Sequence, residues 1–158
     1  MSANSESLEI ARPEVSGLFE SILAGGYSVR VQVTGRSMKP FLEGNEVLFI
    51  EPVGGRRLRV GDLVLFKDRQ DLPVIHRIVR IDGALVQTQG DALNEPDPVV
   101  EDTRIMGKVE RIERSSMAQV DLGSPGQRVR GWLLAVRNRG CWRVRRFGSS
   151  LKRGLGNG

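Results

Sequence analysis

The chain has 158 residues, which is enough for one domain with a substantial hydrophobic core and too few for two domains of ordinary size. It contains one cysteine, Cys141, and one histidine, which excludes an internal disulfide and a multi-cysteine zinc site, and we expect no cofactor and no metal ion. The net charge of +5 is unevenly divided, because residues 1–122 carry 15 Lys and Arg against 19 Asp and Glu, whereas residues 123–158 carry nine basic residues and no acidic ones.

The first predicted element is a helix over residues 14–24, ended by Gly25-Gly26. Its apolar residues follow the spacing of three and four that a helix requires, and they are Val15, Leu18, Phe19, Ile22 and Leu23. The segment is too short and too charged to cross a bilayer or to act as a cleaved export signal. We therefore expect neither a transmembrane helix nor a signal peptide in this sequence.

A predicted strand over residues 27–33 leads directly into a turn that holds a serine. Valines alternate with polar residues along this strand, the pattern of a half-buried β-strand. Gly35 then breaks the pattern; because glycine accepts positive φ, we expect it to turn the chain sharply and to present Ser37 with free backbone N–H groups beside it. A serine hydroxyl is a weak nucleophile at neutral pH, so Ser37 needs a nearby base to act as one.

Most of the remaining sequence predicts short strands and hairpins. The strands are predicted over residues 46–50, 63–66, 73–81, 84–88 and 104–113, with a hairpin turn at Asp82-Gly83. This spacing indicates a mainly β domain, a folded-over antiparallel sheet or partial barrel. We divide the chain into an N-terminal polar segment with a short helix (1–26), the β domain (27–114), and a linker with a basic C-terminal segment (115–158).

The chain offers one imidazole and two carboxylates as partners for the serine. His76 lies in the strand over residues 73–81, where a lone histidine is more often structural than functional. Asp91 follows a glycine at a strand end and Asp97 lies between two prolines, positions at which aspartate commonly serves turn geometry. None of the three residues identifies a site when taken singly.

Taken in order, these segments resemble the type I signal peptidases over roughly residues 30–112. Five ordered blocks carry the resemblance: Gly35-Arg36-Ser37-Met38-Lys39-Pro40, Val60-Gly61-Asp62-Leu63-Val64-Leu65-Phe66, Val74-Ile75-His76-Arg77-Ile78-Val79, Gln89-Gly90-Asp91 and Ile105-Met106-Gly107-Lys108-Val109. Bacterial members use a Ser/Lys pair, with lysine in the third block. Histidine at that place is similar to the archaeal and endoplasmic-reticulum branch, which pairs serine with histidine and an aspartate.

The resemblance implies a serine endopeptidase with a fold of the signal peptidase type and with Ser37 as nucleophile and His76 as general base. It implies that Asp97 orients His76, with Asp91 as the competing candidate. A Ser/Lys mechanism, the alternative, would have to use Lys67. His76 suits the role because an imidazole can accept a proton from a serine hydroxyl and later return it. The chain departs from the family in having Gly35-Arg36 where members often carry a small hydroxyl residue, and in showing no N-terminal transmembrane anchor.

The substrate of such an endopeptidase would be an extended peptide or a segment of a precursor protein that pairs with an edge of the sheet. The alternative is a non-catalytic peptide-binding module or a regulator with a protease-like β domain. We expect the basic loop over residues 54–59 to be a solvated surface rather than a nucleic-acid contact, because no aromatic residues interleave with its arginines, and nucleic acid is not an expected partner.

The C-terminal segment predicts a helix over residues 131–152 with an apolar side. That side contains Trp132, Leu133, Val136, Val144, Phe147 and Leu151. Two interpretations stay open: an interfacial helix on an anionic membrane surface, or a helix packed on its own sheet or a mobile tail. The predicted location is accordingly cytoplasmic or peripherally membrane-associated.

Overall fold

The structure, a computed structural model, describes residues 13–114 and 118–153, with side chains of residues 14–114 and 118–139. Residues 1–12 of the predicted N-terminal segment therefore lie outside the described residues. So do the side chains of Cys141, Val144, Phe147 and Leu151.

In the described residues eight antiparallel strands form one curled sheet, a half-barrel accompanied by two α-helices. The strands are β1 (Val29–Gln32), β2 (Val47–Pro52), β3 (Leu63–Lys67), β4 (Pro73–Asp82), β5 (Leu85–Gln89), β6 (Val100–Glu101), β7 (Ile105–Glu113) and β8 (Gln119–Asp121). Their order across the sheet is β1-β2-β7-β3-β4-β5-β6, with β8 paired to β7. The predicted mainly β, folded-over antiparallel architecture is confirmed. Strands β6 and β8 were not predicted, because two or three residues are too short to show a period-two pattern.

Strand β3 is buried on both faces of the sheet. Its four apolar residues are all buried, and alternate side chains of a strand point to opposite faces. Leu63 and Leu65 join one hydrophobic cluster with Leu48 of β2, whereas Val64 and Phe66 join a second cluster. The continuous apolar run in the sequence therefore reflects burial on both faces.

The N-terminal helix, α1 (Pro13–Ala24), is confirmed at nearly its predicted bounds. It buries Val15 and Leu23 and ends where Gly26 takes a φ of +83°, a left-handed conformation that glycine adopts without steric cost.

The C-terminal helix, α2 (Pro125–Arg153), begins six residues earlier than predicted. The first turn was not predicted because it begins with Pro125 and Gly126, and both residue types are poor helix formers in the interior of a helix. None of the helices in residues 13–114 and 118–153 is both long enough and apolar enough to cross a membrane.

Candidate active site

Ser37 lies in the turn that follows β1, and the turn is held by buried apolar neighbours. Met38, Phe41 and Leu42 are buried, and the Leu42 N–H donates to the Met38 carbonyl at 2.9 Å. Ser37 itself is only half-buried, so its hydroxyl borders solvent. The prediction that Gly35 turns the chain through a positive φ is wrong, because the φ of Gly35 is not positive. A Cβ added to Gly35 would also meet nothing within 4 Å. Packing rather than glycine strain sets this turn.

A buried carboxylate holds the turn over residues 43–45, which follows the Ser37 turn. Glu46 accepts hydrogen bonds from the backbone N–H groups of Glu43 and Gly44, both at 2.8 Å, and of Asn45 at 3.1 Å. Burial alone would raise the pKa of Glu46, but these backbone donors outweigh it and lower the pKa from its ordinary value. The Glu46 carbonyl also accepts the Val33 N–H at 2.9 Å, which ties this turn to the chain leading to Ser37.

His76 lies in β4 with one ring nitrogen against the serine and the other against a carboxylate. Its Nε2 is 3.1 Å from Ser37 Oγ, and its Nδ1 is 2.7 Å from Asp97 Oδ2. The ring is buried and tilts over Phe66, with centroids 6.4 Å apart. The fold thus brings together three side chains that are separated by 39 and 21 positions in sequence.

Asp97 is held in place by strand β5. The Thr88 hydroxyl donates to Asp97 Oδ2 at 2.7 Å, and the Asp97 N–H donates to the Thr88 carbonyl at 2.8 Å. Gln87 Nε2 donates to the Asp97 carbonyl at 3.1 Å. Thr88 is fully buried, and the sequence analysis did not single it out because a threonine in a strand carries no local signal of such a contact.

Asp91, the competing aspartate, does not face the histidine. Arg77 donates to it twice, from Nε to Oδ1 at 2.9 Å and from Nη2 to Oδ2 at 2.6 Å, and Asn138 of α2 donates to Oδ1 at 3.1 Å. His76 and Arg77 are consecutive residues of one strand, so their side chains point to opposite faces and reach different carboxylates. Asn138 is a further residue that the sequence analysis missed.

The loop after β5 nevertheless contacts the serine through its backbone. The Ala92 N–H donates to the Ser37 carbonyl at 2.8 Å. A Cβ added to Gly90 would come within 2.6 Å of the Ser37 carbonyl oxygen and 3.0 Å of His76 Nε2. Gly90 is therefore required here for close approach rather than for an unusual φ. The buried Arg77–Asp91 pair holds this loop against both residues.

Two clefts flank the Ser37–His76 contact. One, of about 290 Å³, is lined by Ser37 together with the apolar residues Val31, Val33, Met38, Leu42, Val74 and Ile75, among others. The other, of about 270 Å³, is lined by His76, Asp97 and the turn between β3 and β4. Among the described residues β1 pairs with β2 alone, which leaves its other edge unpaired beside the first cleft.

Lys67, the lysine that a Ser/Lys mechanism would use, forms an ion pair with a residue of α1. Lys67 Nζ pairs with Glu20 of α1 at 2.7 Å. For the part of the chain with described side chains, no group of three or more His, Cys, Asp or Glu residues is placed to hold a metal ion.

Comparison with known proteins gives a family match that encloses this site. Residues 18–131 match the family described as signal peptidase, peptidase S26, and this range includes Ser37, His76 and Asp97. Signal peptidase complex catalytic subunit SEC11C from Homo sapiens, from Mus musculus and from Canis lupus familiaris is 31% identical to this chain over 61 residues. That match covers 38% of this chain and 32% of each relative.

The family match spans well over half of the chain, and its range encloses the curled antiparallel sheet. The chain therefore belongs to the signal peptidase family, peptidase S26.

Proposed function

We propose that this protein is a serine endopeptidase that cleaves a signal or leader peptide, or matures a precursor protein, through an acyl-enzyme intermediate. The observation that carries the proposal is the chain of two short contacts, Ser37 to His76 and His76 to Asp97. Family membership supports the reaction class. In this proposal Ser37 is the nucleophile, His76 the general base and acid, and Asp97 the residue that orients His76.

The geometry favours one tautomer of His76, with the proton on Nδ1. With the proton on Nδ1, His76 donates to Asp97 Oδ2, and the lone pair of Nε2 faces the Ser37 hydroxyl. A carboxylate in this position fixes that tautomer and stabilises the imidazolium when it forms. Thr88 donates to the same carboxylate oxygen, which keeps Asp97 aimed at the ring.

The proposed reaction has two steps. Ser37 Oγ attacks the scissile carbonyl while its proton moves to His76 Nε2, and that proton then passes to the leaving amine as the peptide C–N bond breaks. Water next attacks the acyl-enzyme and gives a proton to His76, which passes it to Ser37 Oγ as the ester bond breaks and the carboxylic acid product leaves. The Ser37 backbone N–H is the natural first donor to the oxyanion, and such a donor contributes about 3 to 4 kcal/mol to lowering the barrier.

The substrate we propose is an extended peptide segment. The edge of β1 that no other described strand pairs with offers backbone hydrogen-bonding groups to an added strand, and the adjoining cleft of about 290 Å³ is lined mainly by apolar side chains. Small residues at an A-x-A-like site before the cut would fit beside Ser37. The partner is therefore a peptide or precursor protein.

The proposal for location follows from the charge of residues 123–158. We propose peripheral attachment to an anionic membrane surface through this basic segment, with a cytoplasmic location as the alternative.

The test uses purified full-length protein and two readouts. One is covalent labelling by a serine-reactive phosphonate, located by mass spectrometry, and the other is cleavage of an internally quenched peptide with an A-x-A site. We expect labelling at Ser37, and we expect Ser37→Ala and His76→Ala each to lower cleavage by about 10⁴-fold or more. The exposed Ser28 provides a matched control, because Ser28→Ala should leave both readouts unchanged.

Thermal unfolding of each variant separates loss of chemistry from loss of fold. Cleavage by Ser37→Ala at the wild-type rate would disprove the mechanism. Failure of the folded wild-type protein to react with the phosphonate would favour the non-catalytic peptide-binding module instead.

A further inference from the structure

Four large apolar residues form one exposed row on α2. Val129 is 59% exposed, Trp132 51%, Leu133 55% and Val136 41%. Their spacing of three, four and seven places all four on one helix face. Single exposed apolar residues are ordinary, whereas a contiguous row marks an interaction surface. We call these four residues the apolar row.

The opposite face of α2 fixes the direction in which the row points. Gly131, Ala135 and Asn138 are buried, and Asn138 donates to Asp91 behind β4. The backbone of α2 contacts the loop at Gly61 closely: a Cβ on Gly61 would lie 2.6 Å from the backbone nitrogen of Trp132. Small residues allow this contact, and the apolar row lies on the other side of α2: Val129 and Trp132 border a cleft shared with the sheet, whereas Leu133 and Val136 face outward.

Arginines flank the row on both sides. At about 100° per residue, Arg128 and Arg139 fall along one border and Arg130 and Arg137 along the other. All four are exposed. No acidic residue occurs anywhere in residues 123–158, and the same apolar spacing continues in the sequence at Val144, Phe147 and Leu151.

We infer that this face of α2 binds the surface of a membrane that contains anionic phospholipid. The apolar row enters the boundary between head groups and acyl chains, and the two arginine borders lie at the level of the phosphates. Long arginine side chains can reach the phosphates while their stems cover apolar surface. The inference deepens the membrane attachment included in the proposed function and names the surface that makes it.

Charge argues against the two other occupants of such a surface. A second copy of this chain packed through the apolar row would bring two sets of arginines together, and like charges at an interface oppose association. A nucleic acid would contact the arginines but would leave the apolar row without a partner, and Trp132 is the one aromatic residue in the row available for stacking. A lipid surface satisfies both the apolar and the basic groups.

The experiment is co-sedimentation of the full-length chain with vesicles of phosphatidylcholine alone, or of phosphatidylcholine mixed with phosphatidylglycerol. We expect binding to the mixed vesicles and not to the neutral ones, and weakening of that binding as NaCl is raised. Leu133→Glu should lower the partition coefficient about tenfold or more, because it removes a leucine from the apolar phase and adds a negative charge.

Leu18 of α1 provides the matched control. It is 53% exposed on a helix, against 55% for Leu133, so Leu18→Glu makes the same chemical change at the same exposure on another surface. We expect Leu18→Glu to bind like wild type. Thermal unfolding should be unchanged in both variants, because both positions are exposed.

Fluorescence reports directly on the proposed contact. In a Trp142→Phe background, Trp132 is the one tryptophan of the chain, and its emission should shift to the blue with mixed vesicles and not with neutral ones.

Four outcomes would overturn the inference. The first two are an absence of sedimentation with either vesicle and an equal loss of binding in Leu18→Glu and Leu133→Glu. The others are a wild-type dimer that Leu133→Glu converts to monomer without any vesicle binding, and binding to RNA in place of vesicles. Because none of these readouts uses proteolysis, their failure would leave the Ser37 and His76 tests standing.

Discussion

Gly90→Ala tests whether the loop after β5 sets the position of the serine. The added methyl would start 2.6 Å from the Ser37 carbonyl oxygen, whereas ordinary van der Waals contact begins near 3.4 Å. One of the two backbones must therefore shift by about 0.8 Å. The loop cannot retreat freely, because the Ala92 N–H donates to the same carbonyl and the buried Arg77–Asp91 pair anchors the residue between Gly90 and Ala92.

A shift of that size is large for catalysis and moderate for folding. Misplacing a reacting group by about 1 Å can lower the rate about 100-fold, and an overpacked methyl costs about 1 to 3 kcal/mol of unfolding free energy. The methyl would also lie 3.0 Å from His76 Nε2, beside its contact with Ser37 Oγ. We therefore expect kcat to fall about 100-fold, more than KM changes, in a protein that still folds.

The assay is cleavage of the quenched A-x-A peptide, well below the unfolding temperature of the variant, together with the rate of phosphonate labelling. Gly17→Ala is the control, because a Cβ there meets nothing within 4 Å. Wild-type cleavage and labelling rates in Gly90→Ala would refute the claim that this loop positions Ser37. A similar loss in Gly17→Ala would show that the assay does not isolate the contact.

Three further predictions follow from the same network. Asp97→Asn should lower kcat about 10⁴-fold with little change in thermal stability, because the amide stabilises the wrong tautomer of His76; an effect below tenfold would contradict its role. Arg77→Met should lower the free energy of unfolding in urea by about 3 to 5 kcal/mol, because it leaves the buried Asp91 carboxylate without a positive charge beside it; a loss below 1 kcal/mol would contradict this. The lowered pKa of Glu46 means that its ionised form stabilises the fold above about pH 4.5, a contribution lost as pH falls through the folded pKa. The stability difference between wild type and Glu46→Gln, measured by urea unfolding from pH 3 to 7, should therefore be largest at neutral pH, and a constant difference would contradict it.

Local patterns were sufficient to predict the architecture. Period-two alternation in β1, the Asp82-Gly83 turn and the apolar run of β3 each predict a strand or hairpin without knowledge of its neighbours. Ordered motifs were likewise sufficient for the family, and they selected Ser37 and His76 as candidates. Both kinds of signal lie within a few consecutive residues, and for that reason they can be read in one dimension.

Pairing between distant residues could not be obtained in this way. Whether Asp91 or Asp97 meets His76 depends on which face of β4 each loop reaches, and the sequence left both open. The structure puts Asp97 on the histidine face and Asp91 on the arginine face, and it adds Thr88 and Asn138 as their hydrogen-bond partners.

The direction of α2 is a second feature that only packing decides. An amphipathic pattern predicts an apolar side but does not say whether that side meets the sheet or the solvent. Here the small residues Gly131 and Ala135 face the sheet, and the larger Leu133 and Val136 face outward. The physical reason is close approach: the Gly61 loop leaves room for a helix backbone but not for large side chains, a constraint set by residues far away in the chain.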